Sequence, residues 1–149
     1  MDLALYNMRI LRLAAAIPHG QRLEAPMASA TKVSPVCGSR VTVDIDLDAA
    51  GRVVRFGQEV RACALGQAAA AILGAGILGL DAVALGRAHA ALRAFLKEGA
   101  ALPADVDTRF PDLELFAPAR AHPARHGSIL LAFAAAAEAA ELAAARQAA

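Results

Sequence analysis

Apolar residues recur at helical spacing from the start of the chain, where Leu3, Tyr6, Ile10, Leu13 and Ile17 fall on one side before Pro18, His19 and Gly20 stop the pattern. This predicts an amphipathic helix over residues 3–16. Residues 27–33 alternate weakly and predict a short edge strand, closed by Ser34-Pro35 because a proline cannot donate to a strand ladder. The clearest strand spans 40–47, with Val41, Val43, Ile45 and Leu47 on one face and Thr42, Asp44 and Asp46 on the other, so one face should be buried and one wet. Asp48 to Gly51 supplies turn chemistry, and residues 52–62 return with Val54, Phe56 and Val60 as the second arm of a hairpin. Gly57 is expected to mark a bulge, and Asp44, Asp46, Asp48, Arg52 and Arg55 to form the solvated side of the pair.

At Ala64 the period becomes helical and runs to about residues 76–79. A second helix follows, with Asp81 as its N-cap and Gly99 just beyond its end, directing Leu85, Ala88, Leu92, Phe95 and Leu96 inward. Residues 100–118 hold three prolines and little periodicity, which predicts a connector with one turn around residues 113–116. Pro123 then opens an alanine-rich helix carrying Ile129, Leu130, Phe133 and Leu142. The order helix, strands, then helices predicts an α+β domain: a small antiparallel sheet of about three strands, packed on one face by helices, with an N-terminal helix.

Composition narrows the functional classes. A chain of 149 residues fits one domain spanning 1–149. Its hydrophobic fraction of 58% includes 41 alanines, so the core is expected to be small and rich in helix. Lys+Arg 15 against Asp+Glu 14, with no Trp and a single Tyr, offers neither a basic field nor a stacking platform, and nucleic acid is not expected as a partner. Asp2, Arg9 and Arg12 interrupt what a secretory signal would need, and the uncharged run of residues 62–80 is mostly Ala and Gly with Gln67, which favours a buried helix over a membrane span. A cytoplasmic protein is expected, and its two cysteines are then reduced thiols rather than a structural disulfide.

Those cysteines are the candidate chemistry. Cys37 sits in Ser34-Pro35-Val36-Cys37-Gly38-Ser39, a tight loop between strands whose tip exposes a thiol. Cys63 ends the hairpin and immediately precedes a helix, where the dipole and free N–H groups favour thiolate. Entry to the first arm and exit from the second lie at the same end of a hairpin, so the two sulfurs can approach and offer a soft metal site. His122 and His126 lie four apart at the start of the last helix, which makes Cys2His2 zinc ligation a formal possibility with His126 the better donor. His19 and His89 are expected to face solvent. Gly74-Ala75-Gly76-Ile77-Leu78-Gly79 has GxGxxG spacing but falls at a helix end instead of after a strand, and Ser128 has no evident hydrolase relay.

Pro35-Val36-Cys37-Gly38, followed by an alternating strand, then Phe56-Gly57 and Ala62-Cys63-Ala64-Leu65-Gly66-Gln67-Ala68, resembles the N-terminal scaffold domain of the NifU family with its relatives IscU and SufU, over residues 4 to 141. The resemblance implies a SufE/NifU-like fold and a role as iron–sulfur cluster assembly scaffold or carrier, binding iron, a transient nascent cluster or zinc. It implies a cysteine desulfurase and cluster-acceptor proteins as partners, and a monomer or weak homodimer without turnover of its own. Cys37 and Cys63 correspond to the first two ligands of the family site. The family's aspartate after Cys-Gly is Ser39 here, and its third cysteine aligns with Ser128, so two of four anionic ligands are neutral hydroxyls. His126, a partner's donor or a second protomer could complete the site. The alternatives are a sulfurtransferase-like acceptor of persulfide from the desulfurase, and a metal-free regulatory relative.

Overall fold

The computed structural model describes residues 6–149, and Leu3, with the start of the predicted first helix, lies outside them. Helix α1 spans Met8–Ala15. Asn7 caps it by accepting the Ile10 N–H at 2.9 Å, and Ile10 is buried on the face turned to the next helix in the chain. The sheet is an antiparallel meander of β1 (Ala28–Val33), β2 (Arg40–Leu47) and β3 (Val53–Arg61), with β2 central. In its register Val43 faces Ala30 and Gln58, and Ile45 faces Ala28 and Phe56. These residues line the helix-covered face, where Val41, Val43 and Ile45 are fully buried.

Two expectations about the hairpin are corrected. Asp46 pairs with Arg55 and Leu47 with Val53, so the extra residue of the bulge is Val54, not Gly57. Gly57 instead admits the crossing chain, since a Cβ there would lie 2.3 Å from the Gln21 carbonyl oxygen. That crossing segment also covers the face expected to be wet. Asp44 is 0% exposed and accepts hydrogen bonds from Arg22 (2.7 and 3.0 Å), the Leu23 N–H (2.9 Å) and the Ser29 hydroxyl (2.5 Å). Burial pushes the Asp44 carboxyl up, and its bonds from Arg22, Ser29 and Leu23 outweigh this, leaving it below the usual carboxylate range. Alternation marks two faces, but only tertiary structure decides whether the polar one meets water or donors.

Helices α2 (Ala64–Gly76) and α3 (Ala82–Lys97) follow, the latter capped by the Asp81 carboxylate on the Ala84 N–H at 2.8 Å. The predicted connector is mostly helical: α4 spans Ala104–Arg109, and a 3-10 helix runs Pro111–Ala121. Pro103 precedes α4 and Pro111 starts the 3-10 helix, positions where a missing N–H costs nothing, while Pro118 lies inside the 3-10 helix. Helix α5 (Pro123–Ala148) packs across β1 and β2 and against α2 and α3. It is long and apolar enough to cross a membrane by length and composition, yet Ile129, Phe133, Ala135, Ala136 and Ala139 are buried against the sheet and its neighbouring helices. Phe133 meets Phe110 edge-on at 5.1 Å. His89 is half-buried instead of solvent-facing, whereas His19 is exposed with its ring edge against Phe56.

Candidate functional site

The β1–β2 loop is held by two backbone bonds, Ser34 N–H to the Ser39 oxygen and Gly38 N–H to the Ser34 oxygen, both 2.8 Å. Gly38 takes a φ of +72°, a conformation that favours glycine and allows the chain to reverse directly beside the sulfur. The loop therefore presents Cys37 outward, exposed, and turns Ser39 inward, 5% exposed. Cys63, with Ala62, joins β3 to α2; it is partly buried, with extended backbone at the N-cap and no side-chain bond to the helix it precedes. Its thiol is thus left for other partners.

Ser128, 1% exposed in the second turn of α5, comes up beneath both elements. The Cys37 sulfur is 3.0 Å from the Ser39 hydroxyl, the Ser39 hydroxyl 3.3 Å from that of Ser128, and the Ser128 hydroxyl 3.2 Å from the Cys63 sulfur. Cys37, Ser39, Ser128 and Cys63 thus form one continuous chain of contacts from three separate parts of the sequence. Gly66 makes the approach of α5 possible, because a Cβ there would stand 2.6 Å from the Ser128 hydroxyl and 2.7 Å from the Ala62 Cβ. The glycine of the Ala-Leu-Gly-Gln run is a packing requirement.

A residue not singled out from the sequence completes the arrangement. Ser34 is 2% exposed and its hydroxyl lacks a well-formed hydrogen bond among the described residues, yet it stands near the Cys37 sulfur as a dipole. The Ser34 hydroxyl first, then the hydroxyl and backbone of Ser39, with Ser128 adding to them, lower the Cys37 thiol from 9.0 to about 7 against the opposing effect of burial. The chain has four serines, and three of them gather here. That grouping is invisible to periodicity, because a buried serine in a loop reads like any turn residue.

His126 does not join the sulfurs. It is 3% exposed, and its Nε2 lies 2.8 Å from the Ala119 carbonyl oxygen. Two positions along a helix amount to about 200° of rotation, so Ser128 facing the thiols turns His126 to the opposite side. Among the described residues no group of three or more His, Cys, Asp or Glu side chains stands close enough to hold a metal. The His126 ligand and the Cys2His2 arrangement are corrected accordingly. The donor set is two thiols flanked by neutral hydroxyls, half the thiolates that an iron–sulfur cluster ordinarily takes.

Comparison with solved structures gives the same architecture. A nitrogen-fixing NifU-like protein (N-terminal) from Brucella abortus is 38% identical and superposes with a TM-score of 0.89, covering 96% of this chain and 96% of that one. A protein from the thermophilic Fervidobacterium islandicum, assigned as an iron–sulfur cluster assembly scaffold for the SUF system, is 17% identical with a TM-score of 0.83, covering 94% and 99%, which speaks to the fold alone. No family model and no curated protein sequence matches the chain.

Proposed function

The chain belongs to the NifU-like N-terminal family, and from that premise we propose that it serves iron–sulfur cluster assembly as a scaffold or carrier without turnover of its own. Cys37 and Cys63 hold iron or a nascent cluster as cargo, a cysteine desulfurase supplies sulfur, and acceptor proteins take the product in the cytoplasm. The observation that carries this reading is the convergence of four residues aligned with family ligands, Cys37, Ser39, Cys63 and Ser128, on one site with sulfur-to-hydroxyl contacts of 3.0 and 3.2 Å. Because hydroxyls are poor ligands for iron, two donors must come from outside the chain, and the exposure of Cys37 leaves room for them. Zinc, bound by the same thiols, is the resting alternative. Anaerobic incubation with iron and sulfide, with absorption spectra and a metal count, tests the proposal: thiolate-to-iron charge-transfer bands that vanish in Cys37→Ser and Cys63→Ser support it, and no bound iron in the presence of added thiol refutes it.

One observation favours a second reading. The Cys37 sulfur is exposed and flanked by the hydroxyls of Ser34 and Ser39, donors suited to an anion on sulfur. The chain then accepts sulfane sulfur as a persulfide on Cys37, and transfer from a desulfurase with no iron present separates this role from cluster building.

A further inference from the structure

We propose that the cavity between α3 and α4 binds a small aromatic monocarboxylate, its ring among Leu80, Ala88, Val106 and Phe110 and its carboxylate on Arg87 and Arg109. The inference stands apart from the reading above. Arg109 holds the C-terminal end of α2, and the 13 residues of that helix, at about 1.5 Å each, put the cavity roughly 20 Å from Cys63. Its origin is a pair of small residues: Ala84 and Ala88 lie four apart on α3 and both line the gap, where longer side chains would close it. The space left is about 180 Å³. An apolar cavity of about 150 Å³ admits benzene, so this one has room for a single ring and a short substituent. Phe110, already edge-on to Phe133 at 5.1 Å, gives that ring an aromatic wall.

Charge selects the substituent. Two guanidiniums and one carboxylate line the cavity, those of Arg87, Arg109 and Asp105, which leaves one positive charge unmatched. Arg109 donates its Nε to the Gly76 oxygen at 2.6 Å and its Nη2 to the Leu78 oxygen, contacts that fix the group at the wall while its Nη1 has no partner among the described residues. Arg87 donates its Nε and Nη2 to the two oxygens of Asp105 at 2.8 and 3.0 Å, joining α3 to α4 across the mouth, and its Nη1 is likewise unpartnered among the described residues. A bound carboxylate can accept from both spare groups, and charge-assisted bonds of this kind are the strong ones. The mouth can also yield. Arg87 and Asp105 are 56% and 61% exposed, so their pair contributes little, and a ligand carboxylate can take the place of Asp105 on Arg87 at small cost.

The test is a titration of the full chain with benzoate, followed by calorimetry and by amide NMR shifts, with benzyl alcohol as the ring without the charge and acetate as the charge without the ring. Expected are one benzoate per chain with a Kd of about 0.1–1 mM, and benzyl alcohol and acetate each at least about tenfold weaker. Shifts should gather at Ala84, Ala88, Val106 and Phe110, with none at Cys37 or Cys63. Arg87→Gln should weaken benzoate about tenfold, and Asp105→Asn, which frees Arg87, should tighten it about threefold. Ala84 is partly exposed, so Ala84→Leu can fill the cavity with the fold retained and should abolish binding. Arg87 lies at the surface, and Arg87→Gln keeps the test readable should Ala84→Leu unfold. Benzyl alcohol bound as tightly as benzoate would mark the cavity as a seat for a partner's apolar side chain and overturn the proposal. So would shifts centred elsewhere, binding that survives Arg87→Gln undiminished, or no saturable binding up to about 20 mM.

Discussion

The Cys63 sulfur lies 3.2 Å from the Ser128 hydroxyl, joining the start of α2 to the second turn of α5 across 65 residues of sequence. A thiol placed where that hydroxyl is would already face the other sulfur. Ser128→Cys, alone or with Ser39→Asp, is therefore expected to convert a two-thiol site into one with the family's anionic donors. Iron retained after anaerobic desalting should rise at least about threefold over the native chain. No gain would mean that Ser128 is not a ligand position.

Gly66 should tolerate no side chain. In Gly66→Ala the new methyl would meet the Ser128 hydroxyl at 2.6 Å and the Ala62 methyl at 2.7 Å, so α2 and α5 must part. Overpacking of this kind costs about 1–3 kcal/mol, read from urea unfolding, and metal retention should fall with it. Unchanged stability and loading would show that the close approach of α5 is not needed.

The reactivity of Cys37 should follow its hydroxyl neighbours. Alkylation by iodoacetamide, followed by mass spectrometry against pH, should give a midpoint near 7 at Cys37, and Ser34→Ala and Ser39→Ala should each move it up toward 9.0. The sign follows from which form the hydroxyls favour: their dipoles beside the sulfur stabilise thiolate, so removing them favours thiol. A midpoint unmoved by both substitutions would contradict the assignment.

Asp44 should be a main determinant of acid stability. Its carboxylate, fully buried, ties Arg22 and Leu23 of the crossing segment to Ser29 of β1. Asp44→Asn is expected to cost about 2–3 kcal/mol at pH 7, mostly from donors left without an anion. Because the folded value is depressed, the stabilisation is complete above the unfolded value of about 4 and disappears as pH falls through the lower folded one. The gap between native chain and variant should therefore narrow on acidification. A gap independent of pH would rule this out.

Much of this could be read from the residue pattern, and the exceptions share a cause. The meander, the cap at Asp81, the helix start at Pro123 and the placing of Cys37 and Cys63 at one end of the hairpin follow from local periodicity and hairpin geometry. What escaped notice depends on contacts distant in sequence: Asp44 reads as solvated because its partners lie 15 to 22 residues away, at Ser29, Leu23 and Arg22. Gly57 reads as a bulge because nothing nearby in sequence reveals Gln21 crossing over it. His126 suggests a ligand until the rotation of α5 is fixed by Ser128, and Ser34 has no periodic signature at all. The helical turns of residues 104–121 were hidden by prolines that break long helices but suit short ones.

The most direct test is a count of thiophilic metal per chain, made anaerobically on the native protein and on Cys37→Ser and Cys63→Ser, each checked for native circular dichroism. If the two sulfurs act together, the native chain binds one equivalent of metal or assembles cluster iron in the presence of added thiol, and either single substitution abolishes it. Equal loading in all three proteins would show that the sulfurs are neighbours without a shared task.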